Sequence, residues 1–348
     1  MIADEDPERD WTAPGVFRCA PGVYRIPLPL PNDGLRAVNV YAVADGDGWT
    51  LVDSGWALAQ AQDLLAAALA ELDAGFGDVH RFLVTHVHRD HYTQAVALRR
   101  EFGMRVALGA GERVSLEAMH RPPALRGQHE RLLRAGAHDL VRKLEGHEQA
   151  PPDPADWAFP DEWIEDGAEI VVNAGAEGIE GARVLQAVAT PGHTRGHVVF
   201  ADRAAELLFS GDHVLPRITP SLGLEPVPAA SPLADFLASL ELVRTLPDAA
   251  MLPAHGPVGM RVHERVDELI AHHAKRLDAT LAAVQEGQST AYEVASVLPW
   301  TRRDKRLADL DLFNAMLATM ETQAHLDVLV ERGLVTTCEQ DGIVHYTS

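Results

Sequence analysis

Residues 81–91 read RFLVTHVHRDH: an apolar run closes, and three histidines and an aspartate follow within six positions. No other stretch limits the fold as much, because a buried-strand candidate that ends in crowded imidazoles needs something for them to face. In an extended segment alternate side chains share a face, so His86 and His88 can reach one metal ion together. Asp90 and His91 come as the chain turns away and can address a second ion. Neutral imidazole and carboxylate are ligands that zinc and neighbouring divalent metals accept, at about 2.0–2.2 Å for zinc. The competing reading is a polar loop with surface histidines, and three later segments weigh against it. ATPGHTRGH sets His193 after a strand-like run, FSGDH does the same for Asp212, and MLPAHG for His255. Each sits beside Gly or Pro, as ligands presented along one rim of a sheet should.

The surrounding pattern supplies such sheets. GVYRIPL (22–28), AVNVYAV (37–43), TLVDSG (50–55), RFLVT (81–85) and MRVAL (104–108) read as strands, with helices expected over 57–72 and 93–103. The rhythm loosens between 112 and 168, where a helical stretch (126–148) runs into APPDPADWAFP. Its prolines deny a continuing helix, so this block reads as an insertion or lid. Strands resume with ARVLQAVAT (182–190), HVVFAD (197–202), AELLFSGD (205–212) and AAMLPAHG (249–256). Strands, interleaved helices and strands again imply an α+β architecture of layered sheets covered by helices. From about 260 the chain turns helical (262–287, 289–298, 307–333) and closes with a hairpin whose turn lies near QDG.

On the ordered set of His86, His88, Asp90, His91, His193, Asp212 and His255, the chain resembles the metallo-β-lactamase-fold hydrolases. The resemblance covers roughly residues 20–260 and implies a four-layer αββα sandwich. It places His86, His88 and His193 on one metal, Asp90, His91 and His255 on the other, and Asp212 between them. Asp53 of LVDSG would support the site from behind. It implies two divalent cations, zinc by default, with iron or manganese accepted by the same ligands. A metal-held hydroxide would act as nucleophile, with Asp90 and Asp212 fixing the metals and orienting its proton. His197 and His213 adjoin the motifs, and hydrogen bonding behind the ligands, substrate contact and packing all stay open for them. Asp212 stands where dinuclear β-lactamases typically carry Cys or lose the bridge. Thioesterases of the glyoxalase-II type, lactonases, phosphodiesterases and ribonucleases keep the aspartate. In DHYTQAVAL, Tyr92, Thr93 and Gln94 replace the glycines common there in the family.

The tail from HHAKRLDATLAAV to DGIVHYT resembles the winged-helix appendage of the LACTB2-like (β-lactamase-like protein 2) branch. The expected division is an acidic segment (1–20), a catalytic domain (21–260), a connecting helix (261–287) and a winged-helix-like domain (288–348). Its recognition-helix candidate carries Glu321, Asp327 and Glu331 against Arg332, where phosphate contacts need Lys and Arg. The net charge of −21 argues equally against extended binding to nucleic acid or anionic lipid. A structural role at the active-site entrance, or in a homodimer contact, is expected instead. Arg195 is read either as a contact to an anionic substrate or as solvent-exposed. His272 and His273 are expected at an interdomain contact or the surface, the histidines at 120, 129, 138 and 147 on a solvated helix surface, and RRDKR (302–306) in an exposed loop.

MIADEDPERD has no basic or apolar signal pattern and no apolar run reaches a membrane span, so a cytoplasmic protein is expected. Cys19 and Cys338 show no ligand spacing, in keeping with a reducing compartment. The expected activity is hydrolysis of a small ester-like substrate, thioesters ahead of lactones by resemblance alone. A phosphodiesterase or endoribonuclease is the second reading, and a β-lactamase or a winged-helix nucleic-acid-binding regulator the last.

Overall fold

The computed structural model describes residues 10–31, 33–121, 126–146, 153–172, 181–301 and 304–348. The first nine residues, His147 and the paired arginines of RRDKR lie outside them. A seven-stranded sheet holds β1 (Phe17–Ala20), β2 (Val23–Pro29), β3 (Ala37–Asp45), β4 (Gly48–Val52), β5 (Val79–Val84), β6 (Arg105–Gly109) and β7 (Glu162–Ile164), in sequence order. A five-stranded sheet holds β8 (Glu169–Val172), β9 (Arg183–Ala189), β10 (Val198–Asp202), β11 (Leu207–Gly211) and β12 (Ala250–Pro253), ordered β12-β11-β10-β9-β8. Pairs β4–β5, β5–β6, β6–β7 and β11–β12 are parallel.

Strand pleating assigns each buried residue to a layer. Val52, Leu83, Val198, Phe200, Phe209 and Leu252 join one cluster between the two sheets. Their neighbours Leu51, Phe82 and Val84 point the other way, onto α1 (Ala59–Glu71), α2 (Arg89–Phe102) and α3 (Arg113–Met119). Val199, Ala201, Leu208 and Met251 face outward on the second sheet. There they meet α4 (Arg126–Arg134), α5 (His138–Glu145), α6 (Pro232–Thr245), α7 (Val262–Gln285), α8 (Ala291–Val297) and α9 (Leu312–Glu331). Helix, sheet, sheet, helix is the expected four-layer order.

Several boundaries differ from the sequence expectation. Helix α2 begins at Arg89, not 93, so Asp90 and His91 occupy its first turn, where the helix dipole favours an acid. The stretch 126–148 is split into α4 and α5 at Gly136, which adopts φ +81°. Helix α6 has no counterpart in that expectation, although Ser231-Pro232 is an ordinary helix opening with Pro at the first position. Within the 112–168 block, Glu112, Ser115 and Leu116 are fully buried and β7 extends the first sheet. That part of the block is scaffold.

The C-terminal elements are α8, α9 and the hairpin β13 (Thr336–Gln340) and β14 (Ile343–Thr347), turning at Asp341-Gly342. They share one apolar cluster with the second sheet, from Val199 to Leu326, Leu329 and Tyr346. Helix α9 is buried on several faces, with Met316, Thr319, Thr322, His325 and Leu329 all inside. His273 on α7 is among the buried residues and its Nδ1 lies 3.1 Å from His325 Nε2. Among the described residues, no helix is long and apolar enough to cross a membrane.

Asp327 lies in this packed helix. Burial and the nearby Glu331 push its carboxyl up to about 7. An unfolded chain ionises that group near pH 4, so the folded state holds the extra proton between about 4 and 7, and stability falls as pH rises through that window. Asp327→Asn is expected to lessen the loss, measured as a smaller difference between urea midpoints at pH 5 and pH 8. A difference equal to that of the parent protein would count against the assignment.

Candidate metal centre

The residues singled out in the sequence converge on one rim, at the C-terminal ends of the parallel strands, where α/β sheets usually carry their sites. Asp53 follows β4, His86 and His88 follow β5, and Asp90 and His91 open α2. From the second sheet, His193 follows β9, Asp212 follows β11 and His255 follows β12. A hydrogen bond from Val198 N to Thr85 O (2.9 Å) joins the two sheets at this rim.

Three ring nitrogens meet at the first corner. His86 Nε2 lies 3.0 Å from His88 Nδ1 and 3.2 Å from His193 Nε2, and the latter two are 3.0 Å apart. These are not hydrogen bonds, because the proton of each ring is drawn to its far side. His88 Nε2 donates to Leu224 O (2.8 Å) and His193 Nδ1 to Ser221 O (2.6 Å), and carbonyls only accept. Thr85 Oγ1 donates to Asp53, so it accepts from His86 Nδ1 (3.1 Å). Three lone pairs therefore face one point. Tetrahedral ligation at about 2.0–2.1 Å separates donors by about 3.3–3.4 Å, close to what is seen. Burial holds all three imidazoles toward the neutral form, His193 down to about 3.

The second corner has a different charge. His255 Nε2 lies 3.4 Å from Asp90 and 3.3 Å from Asp212 Oδ1, and His91 Nε2 lies 3.6 Å and 3.8 Å from the same two carboxylates. His91 Nε2, His255 Nε2 and Asp212 Oδ1 are buried and make no hydrogen bond. Here too the rings are turned by their outer nitrogens: His91 Nδ1 donates to Asp53 Oδ2 (3.0 Å) and His255 Nδ1 to Ala37 O (2.8 Å). Burial opposes charge on His91, but Asp53, Asp90 and Asp212 outweigh it and push the ring up to about 9. His255 is driven well above its usual range against burial, chiefly by Asp212. The two aspartates resist burial and stay well below the carboxylate range through His91 and His255. This corner calls for positive charge, which a divalent cation supplies. Asp212 faces both corners, its Oδ2 lying 3.4 Å from His193 Nε2. The orphaned inward atoms and the donor chemistry thus fit metal ions at both.

The supports behind these groups are partly those expected. Asp53 adopts φ +59° and accepts from Thr85 N (2.8 Å), Thr85 Oγ1 and His91 Nδ1, so one carboxylate orients rings in both corners. His197 Nε2 accepts from Asp212 N (3.1 Å) while its Nδ1 donates to Thr190 Oγ1 (2.8 Å). A Cβ on Gly211 would stand 2.6 Å from that ring nitrogen. His213 lies in the core against Phe236, ring centroids 5.1 Å apart, and is not brought to the ligand cluster. Arg195 is tied through Nη1 to Pro228 O (2.9 Å). His120 stacks on Phe159.

Other supports were not singled out in the sequence. Asn39 donates to Pro253 O and Gly256 O (both 2.9 Å), bracing the His255 loop, and accepts from Arg25 (3.0 Å). An asparagine inside the apolar run AVNVYAV was its signal. Glu112 accepts from Thr194 Oγ1 and from Val87 N, tying together the two loops of the first corner. Burial and Glu225 push its carboxyl up to about 8. Tyr92 donates to Ala158 O (2.6 Å) and Thr93 Oγ1 to Arg89 O (2.6 Å), so both side chains are held within the start of α2 and its packing partner.

Comparison with known proteins identifies the family and the fold. The family model described as metallo-beta-lactamase superfamily matches residues 33–255. A solved metallo-beta-lactamase family protein from Thermus thermophilus superposes with a TM-score of 0.74 at 30% identity, over 94% of this chain and 98% of that one. A "Beta-lactamase-like protein 2 homolog" from Caenorhabditis elegans is 30% identical over 43% of this chain and 47% of its own length, so that match spans about half of the relative. An "Atrochrysone carboxyl ACP thioesterase" from Aspergillus fumigatus is 27% identical over 81% of this chain and 69% of its own length. With every proposed ligand inside the matched span or at its edge, the chain belongs to the metallo-beta-lactamase superfamily and is a metallohydrolase of that superfamily.

Proposed function

We propose that the protein is a dinuclear metal-dependent hydrolase of small ester-like substrates, thioesters ahead of lactones. The observation that carries the dinuclear reading is the Asp212 carboxylate, with one oxygen toward His255 and the other toward His193. When bound, two divalent cations would supply Lewis-acid polarisation of the substrate carbonyl and would lower the pKa of water toward about 7. His86, His88 and His193 would hold one, and Asp90, His91 and His255 the other, with Asp212 shared. Zinc suits this mixture of imidazole and carboxylate, as do iron and manganese.

The protein's own groups do the rest. Asp90 and Asp212 are held ionised by the histidines around them, so each can hold a cation and orient a nearby O–H by accepting its hydrogen bond, without itself taking up the proton. Asp53, Thr85 and the carbonyls of Leu224, Ser221 and Ala37 keep the rings turned inward, which shortens reorganisation on binding. No side chain is assigned as a nucleophile.

Support for thioesters comes from the fungal ACP thioesterase relative. The second reading, hydrolysis of phosphodiesters or RNA, rests on the resemblance of the tail from HHAKRLDATLAAV to DGIVHYT to the LACTB2-like branch. Against extended nucleic-acid contact stand the net charge of −21 and the burial of α9, which withdraws the recognition-helix candidate from any groove. A cytoplasmic location and a homodimer contact through the C-terminal elements complete the reading.

A metal-verified preparation assayed against thioesters, lactones, phosphodiesters and a chromogenic β-lactam is expected to give the highest kcat/KM on a thioester. A phosphodiester or β-lactam ahead of both esters would overturn the choice. Asp212→Ala is expected to abolish turnover and to lower the metal content measured by emission spectrometry; undiminished activity and metal would remove the shared-ligand role. Asp53→Asn keeps the shape and tolerates the positive φ, but loses one anionic acceptor for Thr85 and His91. It is expected to weaken metal affinity about 10–100-fold, read by chelator competition.

A further inference from the structure

The carbonyls that turn His88 and His193 toward the first corner come from one short loop, Ser221-Leu222-Gly223-Leu224. The loop is fastened to its ligand neighbour: Gly223 N donates to Gly192 O (3.3 Å) and His193 O (3.2 Å). Another of its carbonyls, Gly223 O, lies between the two that orient the histidines in sequence. That oxygen accepts from both Nη1 and Nη2 of Arg131, at 3.1 Å each.

Arg131 reaches the loop from α4, in the block expected to be a lid. Helix α4 is seated on the C-terminal elements. Tyr292 N donates to Ala135 O (3.0 Å), Arg134 pairs with Glu339 (2.9 Å), and Gly136 passes so close to Thr290 that a Cβ would stand 3.2 Å from its Oγ1. Leu132, Ala135 and Ala137 are buried in the cluster that holds Ala291, Val294 and Leu326. The guanidinium is partly buried, with the Glu225 carboxyl nearby. Glu225 in turn accepts from Ser115 Oγ (2.6 Å) and Arg195 N (2.9 Å), so the loop is gripped from the α3 side as well.

We propose that Arg131 is a positioning residue for the three-histidine corner, setting the Ser221–Leu224 carbonyls that hold His88 and His193 in register for a cation. The inference rests on the metal-site reading above. A partly buried, doubly donated contact to a carbonyl between two orienting carbonyls restricts the loop in the direction that matters to both rings, because any shift of Gly223 carries Ser221 O and Leu224 O with it. Arg131 touches neither ring, so its effect on the site is indirect.

The test is Co²⁺ titration of the full chain, stripped of metal, following the visible ligand-field bands and the dissociation constant of the tighter site. Arg131→Ala is expected to raise that constant about 10–100-fold and to alter the bands, while Arg131→Lys, which keeps a cationic donor, recovers most of the affinity. Parent affinity and parent bands in Arg131→Ala would overturn the proposal. So would a lysine variant no better than alanine, since that points to lost packing in place of a lost donor. If the alanine variant does not fold, Arg131→Gln takes its place under the same criteria. Failure of the parent protein itself to bind Co²⁺ would instead bring down the metal-site reading, a result separable from a parent that binds and variants that match it.

Discussion

To take a cation, each histidine at the rim must present a bare nitrogen inward, and that requirement governs the architecture around the rim. An imidazole chooses its tautomer by what its other nitrogen can donate to, so every inward lone pair needs an acceptor placed outside the cluster. The acceptors are drawn from distant parts of the chain: a threonine hydroxyl at 85, an aspartate at 53, and carbonyls at 37, 221 and 224. Both sheets and the loop after Asp212 must therefore be in place together. The αββα order is what brings them there, since it stacks the two sheets so that their strand ends share one edge.

The electrostatics of the two corners follow from the same arrangement. The first is all imidazole and buried, so charge on the rings is disfavoured and the nitrogens stay available. The second mixes two carboxylates with two imidazoles, and its deficit is of positive charge. Unequal corners joined by one aspartate make the rim electrostatically asymmetric, with the deficit of positive charge confined to the second.

Much of this was legible in the residues. The structure brings the residues proposed as ligands to one rim, in the order and after the apolar runs read in the sequence, because strand ends are marked by local pattern and the motif residues follow them directly. The layered fold was legible for the same reason: alternation in HVVFAD and AELLFSGD assigns Val199 and Leu208 to one face, Phe200 and Phe209 to the other. What could not be read is what depends on backbone. Carbonyls carry no sequence signature, so Ser221, Leu224 and Ala37 were invisible as supports. Glu112 and Arg131 were hidden differently, since a charged residue in a helical stretch reads as solvent-facing until tertiary packing buries it. Arg89 as the start of α2 was missed because the helix opens directly on ligand residues, which mask the apolar period.

The shared cluster that runs from Val199 to Tyr346 has a consequence for how the rim is assembled. His86, His88, Asp90 and His91 are neighbours in sequence, but His255 and the α8–α9 elements on which α4 rests lie far along the chain. The rim is therefore a long-range structure, complete only when segments distant in sequence have packed together.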